Sequence, residues 1–421
     1  MKKLITLGGL LLGSCLLLSS CSFVSVSRIA KCDELETTNP YFINLKDEFN
    51  SNYNLFAADI SDIANEGNEN TCVSPISIYS ALAMLAFSTN SNTKHEILTY
   101  MNTTEDDLRD NYRELFQASN YYDNQLGDYR ESLCNSIWVQ NDFDYKKDGV
   151  KFVSEYSCAD IYKIDFTNNN ANKYITDYVK DKTHDLIEED FGLEASTQLA
   201  LINTLYLNDV WNEKGDDISI TDKKIKFKNA DNTTTEDNFL IKSRSGKAYS
   251  NEEIRAMTVS TFNNYNITFI VPKDNYKIKD VFNSKNINEV INADYYDYDT
   301  TQYSYTTINK FPMFNAKSNL DIVKNLKAKG IKDVFDASKA DFSPISNIDL
   351  FCSKVIHSTN LSVDRKGIIG AAATVATMKA TAAAPSEVIR ITEEFIVDRA
   401  FGYLIGDSRN RILFSGIINK I

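Results

Sequence analysis

The chain has 421 residues, of which 43% are hydrophobic and 11% aromatic, and this composition excludes a chain that is disordered throughout. Its 58 acidic and 45 basic residues give a net charge of -13, which would repel a phosphate backbone unless a local basic patch intervened. Lysine and arginine are scattered among acidic residues, and the nearest cluster, residues 223–228, alternates with Ile and Phe as a strand would. Nucleic acid is therefore not expected as a partner.

The N-terminus begins with Met1 and two lysines, followed by an apolar run over residues 4–20 that is short for a transmembrane span. This pattern predicts a secretion signal. The run ends in Leu-Ser-Ser-Cys21, which resembles the bacterial lipobox, so residues 1–21 are predicted to be a lipoprotein signal peptide with lipidation at Cys21. Cys15 is a second candidate, and an ordinary signal peptide is the alternative. The protein is thus expected outside the cytoplasm, anchored to a bacterial membrane or secreted.

Residues 22–40 are polar and unpatterned, which predicts a tether between the anchor and the folded body. Residues 41–421 contain no repeat, no long low-complexity stretch and no Pro/Gly/Ser-rich linker. One domain is the simplest interpretation of this segment.

Helices are predicted early in that domain. Residues 44–63 carry apolar side chains at helical spacing, and residues 74–87 open with Ser-Pro, a favourable helix start. Residues 176–187 and 320–329 are amphipathic and helical in pattern. Short apolar segments rich in β-branched and aromatic residues predict strands at 135–140, 199–207, 265–272, 349–356, 401–405 and 412–417. The fold class is therefore mixed α and β.

The common catalytic signatures are absent. The sequence has three histidines, His95, His184 and His357, and no HExxH, GxSxG, GxGxxG or Walker pattern. Its seven cysteines form no CxxC pair, so neither a metal site nor a dense disulfide framework is indicated. No cofactor is expected, and the chain is not expected to be an enzyme. A hydrolase with a triad on His357 stays open, because triads assemble in space, but a structural histidine is the better interpretation.

Residues 367–384 have an unusual composition for a loop, with small residues, one charge and no proline before Pro385. One phase of an extended strand, from Ile368 to Met378 in steps of two, is uncharged, whereas Lys379 falls in the other phase. Such a strand could bury one face. A buried alanine-rich helix is the alternative, and periodicity does not decide between them.

The flanking sequence resembles the serpin family from about residue 50 to the C-terminus. The resemblance rests on several motifs that occur in the family's order. These are Ser74-Pro75-Ile76-Ser77 with Ala81-Leu82-Ala83-Met84-Leu85, Asn135-Ser136-Ile137-Trp138, Leu201-Ile202-Asn203-Thr204-Leu205-Tyr206-Leu207 with Trp211, Lys310-Phe311-Pro312, Ser353-Lys354-Val355-Ile356-His357, Asp398-Arg399-Ala400-Phe401 and Ile412-Leu413-Phe414-Ser415-Gly416.

The resemblance implies an α+β serpin fold, with an N-terminal helical region, three β-sheets and an exposed reactive-centre loop at about residues 366–393. It implies a metastable monomer that traps a target protease in a covalent 1:1 complex, when the cleaved loop inserts into the main sheet. It also implies a region where the central strands of that sheet part, at Ser74, Ser77, Asn203, Trp211 and His357.

The resemblance places the hinge of the loop at Gly367, Ile368, Gly370, Ala371, Ala372, Ala373 and Thr374. The family's inhibitory hinge begins with Glu, where this chain has Arg365, and Ile368 and Ile369 are bulkier than usual. The family's usual distance from the hinge, counted from Gly367, implies a reactive bond at Thr381-Ala382, which suits an elastase-like protease. Lys379-Ala380, which suits a trypsin-like protease, is the alternative, and Arg390 is a remote third candidate. The altered hinge keeps a non-inhibitory carrier or chaperone-like serpin as the alternative function.

Overall fold

The computed structural model describes residues 24–33, 43, 45–65, 67–123, 128–212, 214–295, 303–369 and 389–421. Within these ranges the helices are α1 Asp47–Ile60, α2 Pro75–Ser88, α3 Ser91–Tyr100, α4 Glu105–Ala118, α5 Lys147–Tyr156, α6 Ala171–Lys182, α7 Ile278–Val281, α8 Ser284–Ile291 and α9 Val323–Ala328. Short 3-10 turns occupy Ser61–Asn65 and Asp333–Phe335.

The strands of the same ranges are β1 Val26–Ala30, β2 Asn120–Asp123, β3 Asp128–Gln140, β4 Ala159–Ile164, β5 Leu199–Leu207, β6 Asp209–Val210, β7 Ile225–Lys228, β8 Thr234–Asp237, β9 Leu240–Ser245, β10 Tyr249–Ser250, β11 Ile254–Ser260, β12 Asn266–Pro272, β13 Tyr303–Phe311, β14 Phe314–Asp321, β15 Ile356–Val363, β16 Gly367–Ile369, β17 Ile389–Ile396, β18 Phe401–Gly406 and β19 Ile412–Ile418.

Within the described ranges the strands form four sheets and a two-stranded hairpin. The first sheet has the order β1-β4-β3-β2 with β5 also paired to β3, and the fourth has the order β14-β15-β16-β6. The second sheet is β10-β11-β12-β18-β19, the third is β17-β13-β9, and β7-β8 is the hairpin. Helix α2 packs between β3 and β5 of the first sheet and β19 of the second, and α1 packs against α2, α8 and β19 in the same large apolar core. This is the α+β serpin architecture that the resemblance predicts.

Helix α2 shows why the first helix predictions are correct. Pro75 lies at its first position, and the Ser74 side chain accepts a hydrogen bond from the Ser77 backbone N–H, which caps the helix. The strands predicted at 199–207, 265–272, 401–405 and 412–417 are confirmed within one residue, whereas the one predicted at 135–140 is the second half of a longer strand, β3, which begins at Asp128. Their β-branched and aromatic side chains lie in the core that the sheets share.

The strand predicted at 349–356 is wrong. Leu350 and Cys352 do alternate with exposed residues, but the Cys352 N–H donates to the carbonyl oxygen of Val334 in a 3-10 turn, and pairing into the sheet starts only at Ile356. Alternation here reflects burial of an extended segment over the core rather than a ladder.

Two helix predictions have wrong boundaries. The helix predicted at 176–187 spans Ala171–Lys182, because His184 and Asp185 adopt left-handed backbone conformations, with φ of 49° and 64°. The helix predicted at 320–329 is confined to Val323–Ala328, since the residues before it complete strand β14.

The tether prediction for residues 22–40 is wrong for Val26–Ala30. These residues form β1, which pairs antiparallel with β4 at the outer edge of the first sheet. The segment is too short to show a periodic pattern, and it becomes a strand because the edge of β4 supplies backbone partners.

Candidate functional site

Strand β16 pairs with β15 and with β6, and β6 follows β5 of the first sheet after a single residue, Asn208. Gly367 and Ile368 lie opposite Val210 and Asp209 on one side, while Ile368 lies opposite Val363 on the other. The side chain of Ile368 is completely buried. The first residues of the predicted hinge therefore already form a short strand between β15 and β6.

Glycine is required at the first position of this strand. A Cβ atom added to Gly367 would lie 1.8 Å from the carbonyl oxygen of Asp209 and 2.9 Å from the Cα of Val210. No side chain fits at these distances without moving the backbone, because the obstructing atoms belong to the neighbouring strand.

Beyond β16, the inner edges of β5 and β15 border a groove. In the described part of the chain β5 pairs with β3 alone, whereas β15 pairs with β14 and, over two residues, with β16. The groove is lined by residues 199–204 on one side and by Ile356 and Ser358 on the other. The Asn203 Oδ1 and Thr204 Oγ1 atoms are buried and have no hydrogen-bond partner among the described residues. The edges thus carry unsatisfied polar groups, which are costly when buried.

Ser74, Ser77 and His357 meet below this groove. The Nε2 atom of buried His357 accepts a hydrogen bond of 2.9 Å from the Ser74 backbone N–H. The Ser74 hydroxyl donates to the carbonyl oxygen of Leu413 and accepts from the Ser77 N–H. Burial lowers the pKa of His357 to about 4, so its imidazole is neutral at pH 7.

This geometry does not form a nucleophile–base pair. The Ser74 hydroxyl donates its proton to a backbone carbonyl, and the His357 ring accepts from a backbone N–H rather than from a hydroxyl. A hydrolase on His357 therefore has no support in the arrangement of these two residues.

Asn203 belongs to a separate network across the groove from His357. Its Nδ2 donates to the Oδ1 of Asn135 at 2.5 Å, directly across the β3–β5 ladder. Asn135 in turn donates to the Tyr112 hydroxyl at 2.8 Å and to the carbonyl oxygen of Ser157 at 2.7 Å. The network fixes β5 to β3, and Asn203 also lines the groove.

Trp211 holds the turn that leads into β16. Its indole Nε1 donates to the carbonyl oxygen of Asp364 at 2.6 Å, and its backbone N–H donates to the carbonyl oxygen of Lys366 at 2.9 Å. The buried ring packs edge-on against Phe311, with 5.7 Å between centroids. Trp211 thus connects the end of β6 to the start of the hinge.

Arg365, the residue that departs from the family's hinge, has an acidic partner. Its Nε lies 3.3 Å from the Asp217 Oδ2, and the two side chains are 44% and 42% exposed. The departure from the family's hinge thus gives an exposed ion pair at this position.

Asp209 is a residue of this site that sequence reasoning missed. Its buried carboxylate accepts from Arg130 Nη1 at 3.2 Å and from Asn263 Nδ2 at 2.6 Å. Burial raises its pKa, and these donors oppose that rise. Its position between an apolar strand and Trp211 is the signal that could have identified it, but its partners come from distant segments.

Most of the predicted loop lies outside the described residues. This holds for Gly370, Ala371, Ala372, Ala373 and Thr374 of the hinge, and for both candidate bonds, Thr381-Ala382 and Lys379-Ala380.

The far end of the loop needs a correction. Residues 389–393, predicted to be exposed loop, belong to β17, which pairs in parallel with β13. The third candidate, Arg390, lies opposite Ser304 in this ladder. The backbone around Arg390 is already paired with β13 and is not free to bind in a protease cleft, so Arg390 is no longer a candidate.

The described residues show neither a metal site nor a membrane span. They contain no group of three or more His, Cys, Asp or Glu side chains that could hold a metal ion. None of their helices is long and apolar enough to cross a membrane. Cys21 lies outside these residues, so its lipidation stays a prediction.

Comparison with known proteins identifies the same family throughout. Residues 51–421 match the family model described as "Serpin (serine protease inhibitor)". Serpin A3-6 of Bos taurus is 30% identical over 317 residues, which cover 73% of this chain and 74% of that protein. Leukocyte elastase inhibitor A of Mus musculus is 26% identical over 385 residues, covering 88% and 98%. The thermophilic serpin tengpin in its native state has a similar fold, with a TM-score of 0.74 at 23% identity over 93% of this chain and 97% of that one.

Proposed function

Because the chain belongs to the serpin family, we propose that it is a suicide-substrate inhibitor of serine endopeptidases, and of cysteine endopeptidases that form the same kind of acyl-enzyme. The protease would cut the loop after Thr381, and the segment behind Ile369 would then extend β16 into the groove between β5 and β15. One observation carries the proposal: β16 has already begun this strand, with partners on both sides.

The pairing of β16 predicts the register of the inserted strand. On one side Ile368 lies opposite Val363, so continuing the antiparallel ladder would bring Thr374 opposite His357. On the other side Ile368 lies opposite Asp209, which would bring Thr374 opposite Asn203. The hydroxyl of Thr374 would thus enter the part of the groove where the Asn203 Oδ1 has no partner within the described part of the chain.

The same register predicts which side chains the inserted strand would bury. Residues opposite one another share a face of a sheet, and His357, Thr359, Leu361 and Val363 are the buried members of β15. Their partners would be Thr374, Ala372, Gly370 and Ile368, which are small or apolar.

The driving force would come from bonds that the intact sheet lacks. About a dozen new ladder hydrogen bonds, at roughly 1 kcal/mol net each, would supply on the order of ten kcal/mol. Burial of the Ile368 phase would add roughly 25 cal/mol for each Å² of apolar surface. The intact protein would then be metastable, and a kinetic barrier would protect it.

The test is to mix the full chain with an elastase-like and with a trypsin-like serine protease, and to separate the products in SDS. We expect a covalent 1:1 complex with the elastase-like enzyme and, by mass spectrometry, a new N-terminus at Ala382. Complex formation with the trypsin-like enzyme and a cut after Lys379 would instead support the alternative bond. Cleaved chain with fully active protease from both would refute inhibition.

Two matched variants test the insertion step. Ala372→Arg would place a charge in the phase that Ile368 buries, so we expect it to convert the protein into a substrate that is cut without trapping. Ala373→Arg places the same charge in the opposite phase, beside half-exposed Ser358, so trapping should persist. Equal trapping by both variants would contradict the proposed register.

The second candidate, a carrier or chaperone-like serpin, is favoured by Arg365 in place of Glu and by the bulk of the two isoleucines after Gly367. Thermal unfolding of the cleaved chain separates the two functions. Insertion should raise the melting temperature well above that of the intact protein, whereas an unchanged value would favour the second candidate.

The proposed location is outside the cytoplasm, with a lipid on Cys21 holding the protein to a bacterial membrane. Incorporation of labelled palmitate into the wild type, and its loss in Cys21→Ser, would test this. Labelling that persists in Cys21→Ser would point to Cys15.

A further inference from the structure

Strand β1 is held to the sheet edge by one carboxylate in addition to its ladder. The Asp160 Oδ2 lies 3.2 Å from the Arg28 Nη1, and its Oδ1 accepts the backbone N–H of Cys32 at 3.2 Å. The ladder itself shifts register between Arg28 and Ala30, where it ends. Asp160 thus fixes the chain on both sides of this irregularity and brings Cys32 to the start of β4.

Cys158 lies at the same place. The β1–β4 ladder ends with Ala30 opposite Ile161, so its antiparallel continuation would carry Cys32 past Ala159, the residue after Cys158. Cys158 is buried in the main core, and Cys32 is a half-buried residue packed against that core. Cys158 also has a left-handed backbone, with φ of 50°, in the connection between α5 and β4. The topology therefore places two cysteines, 126 positions apart in the sequence, side by side.

The two thiols interact. A hydrogen bond with Cys158 lowers the pKa of Cys32, and the positive charge of Arg113 acts in the same direction. The same hydrogen bond and burial raise the pKa of Cys158. Cys32 is thus the half-exposed nucleophile and Cys158 the buried partner, an arrangement that favours thiol–disulfide exchange.

We propose that Cys32 and Cys158 form a disulfide that staples the N-terminal strand to the sheet when the exported protein meets a protein or small-molecule disulfide as oxidant. The Cys32 thiolate attacks the oxidant's disulfide, forming a mixed disulfide and releasing one thiolate. The Cys158 thiol then loses its proton, and its sulfur displaces the second sulfur of the oxidant. Two protein thiols are oxidised and one disulfide is reduced to two thiols.

The staple would have a consequence for the anchored protein. Cys32 is 11 positions after Cys21, so a covalent bond would secure the attachment that β1 already makes and keep the folded body close to the predicted lipid anchor. This inference does not depend on protease inhibition, so either can fail without the other.

The test uses the full chain, exported in a bacterial host and purified in detergent without reductant. Free thiols are alkylated, the protein is digested, and peptides are identified by mass spectrometry. We expect a linked peptide pair containing Cys32 and Cys158, lighter by two hydrogens than the separate thiol peptides. Reduced native protein treated with oxidised glutathione should regain the same pair while Cys352, completely buried, stays a thiol.

Variants and a second measurement keep the test decisive. Cys32→Ser, at the half-exposed edge, should abolish the linked pair and leave Cys158 as a thiol, whereas Cys352→Ser should keep the pair. In the wild type, oxidation should slow hydrogen exchange of the β1 amides by roughly 30-fold or more. Recovery of Cys32 only as a mixed disulfide with glutathione, or of both residues as thiols after this treatment, would overturn the proposal.

Discussion

Replacement of Gly367 by alanine tests the close approach on which the hinge depends. The added Cβ would lie 1.8 Å from the Asp209 carbonyl oxygen, whereas ordinary contact begins at 3.4 Å. The difference, 3.4 minus 1.8, means that β16 must move about 1.6 Å away from β6. The atoms that obstruct the added Cβ belong to the backbone of β6, so no change of side-chain conformation relieves the clash.

The cost follows from what that movement breaks. The hydrogen bond from the Trp211 N–H to the Lys366 carbonyl oxygen, 2.9 Å long, would be lost, at about 1 kcal/mol. Ile368, completely buried, would be partly exposed, and full exposure of an isoleucine costs about 1.5–3 kcal/mol. We therefore expect Gly367→Ala to lower the free energy of unfolding by about 2–4 kcal/mol.

Urea-induced unfolding of the intact protein measures this change, with Gly192→Ala as the matched control. Gly192 has a φ of 58°, and a Cβ added there would have no atom within 4 Å, so alanine carries only the left-handed backbone cost of about 1 kcal/mol. If loop insertion continues from β16, Gly367→Ala should also increase the fraction of chain that is cut without trapping protease.

The refuting result is specific. If Gly367→Ala unfolds at the same urea concentration as Gly192→Ala and traps protease as well as the wild type does, the pairing of Gly367 with Val210 contributes nothing to the intact state. The hinge would then lie outside the sheet, and the inferred register of insertion would lose its starting point.

Three further predictions concern titratable groups. Burial lowers the pKa of His357 from 6.5 to about 4, so the protein should lose about 3 kcal/mol of stability as the pH falls through this range, because only the unfolded imidazole is protonated there. His357→Asn should remove this pH dependence from urea unfolding. Burial raises the pKa of Glu131 from 4.5 to about 7, so the protonated carboxyl is favourable for folding below pH 4.5 and this stability is lost as the pH rises through 7. Glu131→Gln should therefore be more stable than the wild type at pH 8 by up to about 3 kcal/mol, and no more stable at pH 4.5. The exposed Arg365–Asp217 pair should contribute no more than about 1 kcal/mol, so Arg365→Glu and Asp217→Lys should each be slightly destabilising, and a double-mutant cycle should show mutual rescue.

Each of these has a contradicting outcome. A His357→Asn protein that keeps the wild-type acid sensitivity would assign it to other groups. A Glu131→Gln protein that is less stable than the wild type at pH 8 would mean that the carboxylate stabilises buried Arg411 by more than its own burial costs. Destabilised Arg365→Glu without rescue by Asp217→Lys would show that the arginine acts through packing.

Features set by neighbouring residues could be predicted from the sequence. Ser74 and Pro75 start α2 through a local cap, and the strand at 199–207 has enough branched apolar side chains to specify a buried ladder. The polar cluster around His357 could be predicted only through the family resemblance, since Ser74 reaches it from 283 positions away.

Features set by distant partners could not be predicted in this way. Val26–Ala30 reads as a polar linker and becomes a strand only because β4 has an open edge. Asp209 reads as a surface residue between two strands, but Arg130 and Asn263 satisfy its buried carboxylate. The sequence places Arg390 in the loop because composition does not show that β13 pairs with the chain around it.

The groove itself argues for the proposed mechanism over a carrier function. Natural edge strands are covered, charged or twisted away from partners, because an open edge recruits another strand. Here β5 and β15 present facing edges whose groove-lining residues are mostly uncharged, and Thr204 adds a buried hydroxyl that has no partner in the ranges the structure describes. The segment after Ile369 is covalently attached at the mouth of this groove, so its effective concentration exceeds that of any other strand. An intact loop is held at both ends, by β16 and by β17, and cleavage would release only the first of these segments to pair.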